Sequence, residues 1–326
     1  MRKVFPLVSF LIISLLFSGC FTGSVTFHDL TPSANETVPT VKPTETSEPA
    51  SLPNDFTADP LVLPSDQAEY LTGCNAAEAW PLLADAISKE LPFVEFASPE
   101  ISRCVTDIFE YTPLSGIAEL APESETVHIE YNAAHSIDTL TDSITALIND
   151  SVSSEHNRLE TLISLYRTAA SFEFDETSEP SLYRTLLNGK GDTKEITLAF
   201  QHLLTQAGFE TKLAYASNAE HYWVIAKLND SFYHFDPVFE AAATNGQGLS
   251  YFGMSDTAHA AAIGSSAYQI GYGDFTEQTT GLCFSDTLDS LFSDVSSYEM
   301  NVGEHLLTVQ FGFNPENTAE YSTNSF

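Results

Sequence analysis

The stretch that most constrains this chain is residues 191–240, GDTKEITLAFQHLLTQAGFETKLAYASNAEHYWVIAKLNDSFYHFDPVFE. Asp192 or Thr193 is a good N-cap for a helix, because Ile196, Ala199, Phe200, Leu203, Leu204 and Ala207 recur at spacings of three and four. Gly208 stands where a helix end favours a left-handed residue. Residues 212–216, 221–228 and 231–236 follow, each rich in β-formers, with an Asn-Asp turn between the last two. One helix and then three short strands predict an α+β unit.

The order of residues within that stretch carries a resemblance. A helix start, then His221-Tyr222-Trp223 on one strand, then Tyr233-His234-Phe235-Asp236-Pro237 on the next, resembles the transglutaminase-like superfamily of bacterial proteins. Its pattern is roughly Cys-x-Gly-Tyr-x-x-Ala-Phe opening the helix, then His-Ala-Trp-Asn, then Trp-Tyr-His-x-Asp-Pro-Thr. The resemblance implies a papain-like core, a helix packed on an antiparallel sheet. It gives His221 the role of base and Asp236 the role of the acid that orients it. Counted back from Ala199-Phe200, the nucleophile position falls on Thr193, which is not a cysteine.

That substitution bears directly on function. The family's chemistry needs a thiolate, formed at a helix N-terminus where the dipole and a nearby imidazole lower the thiol pKa. A threonine hydroxyl is far less acidic, and its β-methyl crowds the line of attack. Threonine nucleophiles elsewhere use their own free amino group as base, and Thr193 is internal. Further departures gather at the same place: Val224 replaces the usual Asn, Val238 the usual Thr, and Tyr222 a small residue beside His221. Tyr222 and Trp223 are expected to line the groove. The expectation is a domain kept for binding a peptide or cell-wall component after catalysis is lost. Two alternatives stand beside it: an active hydrolase or acyltransferase using Thr193, His221 and Asp236, and a structural or adhesive envelope protein.

The chain has 326 residues and begins with Arg2-Lys3, an apolar run through Phe17, and Ser18-Gly19-Cys20. This reads as a signal peptide over residues 1–19, too short for a membrane span. Ser-Gly-Cys resembles the bacterial lipobox, which implies a lipid-modified Cys20 holding the protein on the extracytoplasmic face of the membrane. Gram-positive members of the family carry a segment similar to residues 251–256, and the same cell type is expected here. Residues 20–65 hold seven prolines among Thr, Ser and Glu and read as an extended tether.

Losing residues 1–19 removes two basic residues and no acids, so the net charge moves from −33 to −35. Nucleic acid is a poor partner for such a surface, since neutralising phosphates takes lysine and arginine. No Asp-x-Asp-x-Asp-Gly loop is present, so no metal site is assigned, and Gly189-Lys190-Gly191 lacks the spacing of a phosphate loop. No cofactor is expected. Beyond Cys20 stand Cys74, Cys104 and Cys283, an odd count that allows at most one internal disulfide.

The remaining segments complete the expected plan. Residues 66–124 read as a helical region, a cap or part of the main domain, with apolar spacing over 76–91 and a start signal at Ser98-Pro99. The transglutaminase-like domain is placed at 125–313, with a strand at 127–131, helices at 137–148 and 157–172, and a last strand at 307–313. Residues 241–248 read as a loop, and 314–326 as a flexible tail.

Overall fold

The computed structural model describes residues 52–176, 181–216, 221–272 and 276–326. The expected leader, Cys20 and the tether up to residue 51 lie outside the described residues. Among the described residues, no helix is long and apolar enough to cross a membrane.

The chain opens with helices α1 (Ser65–Gly73) and α2 (Ala79–Ser88), strand β1 (Phe93–Glu95) and helix α3 (Pro99–Phe109). The hairpin of β2 (Ala118–Glu123) and β3 (Thr126–Tyr131) follows, then α4 (Ile137–Ser151) and α5 (Arg158–Ala170). Short β4 (Glu173–Phe174), α6 (Leu182–Asn188) and β5 (Lys190–Gly191) lead into α7 (Thr193–Gln206). Next come β6 (Thr211–Ala216), β7 (His221–Leu228), β8 (Ser231–Phe235), α8 (Pro237–Thr244) and β9 (Phe252–Met254). Then come α9 (Asp256–Ile263), β10 (Tyr268–Ile270), β11 (Glu277–Thr279) and α10 (Asp289–Phe292). Strands β12 (Val295–Asn301), β13 (Leu306–Phe311) and β14 (Thr318–Ser322) complete the chain.

The fold is mixed α and β with antiparallel main sheets. The largest sheet runs β11-β10-β6-β7-β8-β9, and α7 packs against β6 and β7 with α5, α6 and α8 around it. Every residue of α7 from Glu195 to Leu204 is buried, so its polar side chains need partners inside the protein. Thr197 donates to the Tyr222 carbonyl at 3.0 Å, and Gln201 donates to the Asp66 carboxylate at 3.0 Å. An aromatic chain runs from Phe200 through Tyr166 to Phe252, which in turn meets both Phe235 and Phe292, all in edge-to-face contacts with centroids 4.9–5.7 Å apart.

Several elements depart from the sequence reading, each for a physical reason. The last part of the expected tether, 52–65, is docked. Phe56, Leu61 and Leu63 pack on the core, and the Trp80 indole donates to the Leu61 carbonyl at 2.8 Å. The boundary expected at 124/125 falls in the turn of the β2–β3 hairpin, whose sheet also takes in β1. Residues 66–124 are therefore neither all helical nor separate, and their apolar side chains join the same core as α7. Residues 241–248 are not all loop. Asp236-Pro237 is an N-cap followed by proline at the first helical position, and it starts α8. Residues 314–326, expected to be flexible, supply β14, which pairs with β13, and the buried Thr323. A polar tail can order in this way because alternate positions of an edge strand face solvent.

Candidate functional site

The site is built where α7 begins and where β7 and β8 present their ends. Asp192 caps the helix, its Oδ1 accepting the Glu195 amide at 2.9 Å, and this leaves Thr193 as the first helical residue, half-buried. Gly191 lets the chain pass close to α6: a Cβ there would meet the Thr185 hydroxyl at 2.5 Å, so no larger residue fits without a shift. On the sheet side, β7 and β8 pair Val224 with Phe235, which brings the two strand ends carrying His221 and Asp236 together. His221 Nε2 lies 2.5 Å from Asp236 Oδ2, with Asp236 fully buried.

The hydrogen bonds settle the chemistry of the pair. A carboxylate only accepts, so Nε2 of His221 carries the proton of this bond, and Nδ1 is the ring nitrogen that Asp236 leaves unengaged. The other Asp236 oxygen accepts the Phe239 amide at 3.0 Å and caps α8. The Phe239 ring then lies flat on the imidazole, centroids 4.0 Å apart and planes 9° from parallel. Tyr166 and the buried Glu240 support the same turn. The Tyr166 hydroxyl lies 3.1 Å from the Asp236 carbonyl, and Glu240 accepts the Tyr251 amide at 2.8 Å. Burial raises the Glu240 carboxyl above its ordinary range, against hydrogen bonds from Thr244, Tyr251 and Tyr166 that pull it down.

Thr193 and His221 line one cavity of about 570 Å³, whose other walls include Phe172, Phe174, Ile196, Val238 and Phe239. Among the described residues, no aspartate, glutamate, lysine or arginine lines it. The structure thus brings together the three residues expected to form the site, Thr193, His221 and Asp236, with Asp236 behind the histidine. Tyr222 and Trp223, expected on the groove wall, do not line the cavity. Trp223 is fully buried, and Tyr222 stacks across strands on Tyr215 at 4.5 Å. Alternation explains part of this: Val224 and Ala226 face the core shared with α7, whereas Trp223 and Ile225 belong to a separate apolar cluster. Of the walls from α8, Val238 was named as a departure at the site, but Phe239 was missed because residues 237–240 were left without an element. The Asp-Pro cap signal would have found Phe239.

None of Cys74, Cys104 and Cys283 lines the cavity, and all three are free. Cys283 is fully buried, and burial followed by the Asp256 charge pushes its thiol well above the ordinary range. It cannot stand in for a nucleophile at Thr193.

Cys283 does belong to a polar cluster behind Trp223. His234, Asp256 and Cys283 offer ligand atoms within 4.8 Å of one another. Their hydrogen bonds argue against a cation there. The Trp223 indole, a donor only, reaches His234 Nδ1 at 2.8 Å, so the His234 proton must sit on Nε2, 3.1 Å from Asp256 Oδ1. Binding a metal through Nε2 would put an N–H at Nδ1, facing the indole N–H. Asp256 is also occupied, accepting from Tyr268 at 2.9 Å and from the Leu282 and Cys283 amides at 3.0 and 2.7 Å. Burial raises the Asp256 carboxyl, but the bonds from His234, Tyr268 and Cys283 outweigh it and leave the group below its usual range. The cluster holds Trp223 and the loop at 282–283 in place.

Compared with known proteins, the chain matches no family model and no curated protein sequence.

Proposed function

We propose that this chain is a lipid-anchored, extracytoplasmic binding protein built on a transglutaminase-like domain that no longer catalyses. Its ligand, a peptide or cell-wall component, occupies the cavity between α7 and α8. The observation that carries this reading is that His221, bonded from behind by the buried Asp236, lines the same cavity as Thr193. In a cysteine enzyme of this layout, Nδ1 of the histidine would take the proton from a thiol at the first helical residue. A threonine there keeps its proton near neutral pH, because the helix dipole and one imidazole shift a group by only a few units. What remains is a cleft with a polar end at His221 and Thr193 and an apolar floor.

That floor narrows the ligand. The lining of Phe172, Phe174, Val238 and Phe239 favours a bulky uncharged side chain, and a net charge of −33 disfavours ligands rich in carboxylates. A peptide that inserts an aliphatic or aromatic residue fits both conditions.

The intact dyad also favours a second reading, amide hydrolysis or acyl transfer through the Thr193 hydroxyl. Turnover of muropeptides and of glutamine-containing peptides by the natural chain, Thr193→Ala and Thr193→Cys separates the two. On the binding reading the natural chain is silent and Thr193→Cys gains activity that His221→Ala then removes. Activity in the natural chain that disappears in Thr193→Ala would replace binding with threonine-dependent catalysis.

A further inference from the structure

A second chemically loaded contact lies away from the cavity, between the first helices of the fold. Helices α1 and α3 pack against each other, and the Tyr70 hydroxyl donates to Asp107 Oδ2 at 3.1 Å across them. Cys74 follows Tyr70 by one turn and caps the end of α1. Cys104 precedes Asp107 by one turn and points inward from the middle of α3, where it is buried. Tyr70 bonds to Asp107 between the two helices, and Cys74 stands one turn from Tyr70 and Cys104 one turn from Asp107, which brings the two thiols near enough to perturb each other. Cys283, the third thiol, sits in a separate cluster with Trp223 and Tyr268.

We propose that Cys74 and Cys104 are a disulfide-forming pair, a covalent staple between the C-terminal end of α1 and the middle of α3. The inference stands apart from any ligand of the cavity. Its chemistry is thiol–disulfide exchange with a disulfide-bearing oxidant. Cys74, the more exposed partner, loses its proton and attacks the oxidant, forming a mixed disulfide and releasing one oxidant sulfur as a thiol. Cys104 then loses its proton and attacks the Cys74 sulfur, which releases the second oxidant thiol. Two protein thiols are oxidised and one oxidant disulfide is reduced. Burial and the neighbouring Cys104 push the Cys74 thiol up to about 12, so the first attack is slow at neutral pH and quickens in alkali or while the chain is still folding. The bond would close a loop of about 30 residues, long enough to restrict the unfolded chain strongly.

The test uses the full-length chain, purified reduced and then exposed at pH 8 to oxidised glutathione. Thiols are blocked in denaturant, and the digest is read by mass spectrometry before and after reduction. The expected result is one linked peptide pair carrying Cys74 and Cys104, with Cys283 and any unlipidated Cys20 recovered as blocked thiols. Melting should rise on the order of 10 °C in the oxidised chain and fall back with reductant. Cys104→Ser buries a hydroxyl and can unfold the region, so Cys74→Ser is the control: it keeps the fold and loses both the link and the response to reductant. Cys74 and Cys104 recovered as separate thiols or glutathione adducts, either one linked to Cys283, or melting indifferent to reductant, would overturn the staple.

Discussion

Asp236 engages His221 with one carboxylate oxygen, at 2.5 Å, and caps the following helix with the other, at 3.0 Å. One buried side chain therefore sets both the histidine tautomer and the path of the helix that carries Phe239 onto the imidazole. The two tasks can be separated by substitution. Asp236→Ala loses the cap and leaves a buried imidazole N–H without an acceptor, and should cost about 3 kcal/mol. Asp236→Asn keeps an oxygen for the cap and should cost about 1 kcal/mol less than the alanine variant. Urea unfolding monitored by circular dichroism measures both. Equal losses would mean that the cap contributes nothing at this position.

Behind the histidine, the Trp223 indole N–H donates to His234 Nδ1, a 2.8 Å bond between buried rings. Trp223→Phe retains most of the apolar volume but strips His234 Nδ1 of its donor. His259, stacked on His234 at 4.3 Å with its own Nε2 unpartnered, supplies no replacement. The expected cost is about 2 kcal/mol, most of it the penalty of an unsatisfied buried nitrogen. A double-mutant cycle with His234→Phe checks the assignment: the coupling should account for most of that loss, and additive effects would assign it to packing instead.

How much of this could be read from the chain depended on how local the signal was. The helix at 193–206 and strands at 221–228 and 231–235 were legible because cap, periodicity and β-propensity agree there. The helix expected at 157–172 was legible from its apolar spacing, and the structure adds a capping box of Asn157 with Glu160 at its start. Thr193, His221 and Asp236 came from the resemblance to the transglutaminase-like pattern; the structure bonds His221 to Asp236 and sets Thr193 and His221 on one cavity. Trp223 was misplaced because an aromatic beside a site residue reads the same whether it faces a groove or a core. Strand β14 was invisible for another reason: Thr318–Ser322 is polar, and its order depends on pairing with β13 and on the bond of the next residue, Thr323, to Glu160, which is distant in sequence. Long-range pairing leaves little trace in a local pattern.

The C-terminal segment should therefore matter for stability. Glu160 is fully buried and accepts from the Thr323 hydroxyl at 2.6 Å and from His305 at 3.1 Å, which ties the end of the chain to α5. Thr323→Val keeps shape and removes one donor to a buried carboxylate, so about 2 kcal/mol should be lost. Deleting residues 314–326 removes β14 as well and should lower the melting temperature by more than the single change does. Scanning calorimetry decides this, and an unchanged melt after deletion would return the segment to the status of a frayed end.

Glu195 gives the fold a pH dependence of definite sign. It sits buried in the first turn of α7, where desolvation, with a smaller push from Asp192, raises its carboxyl to about 7 from an ordinary value of 4.5. Between those values the folded chain holds a proton that the unfolded chain has released. The contribution of this group is therefore complete below about pH 4.5 and is lost as pH rises through about 7. The loss amounts to at most about 3 kcal/mol. Burial of His202 acts oppositely, since its imidazole is pushed down to about 4 and its contribution is lost as pH falls. Comparing the natural chain with Glu195→Gln cancels that term. The glutamine variant should gain stability relative to the natural chain between pH 5 and pH 8, by denaturant unfolding at each pH. A difference that does not change with pH would mean that Glu195 is ionised in the folded protein throughout this range.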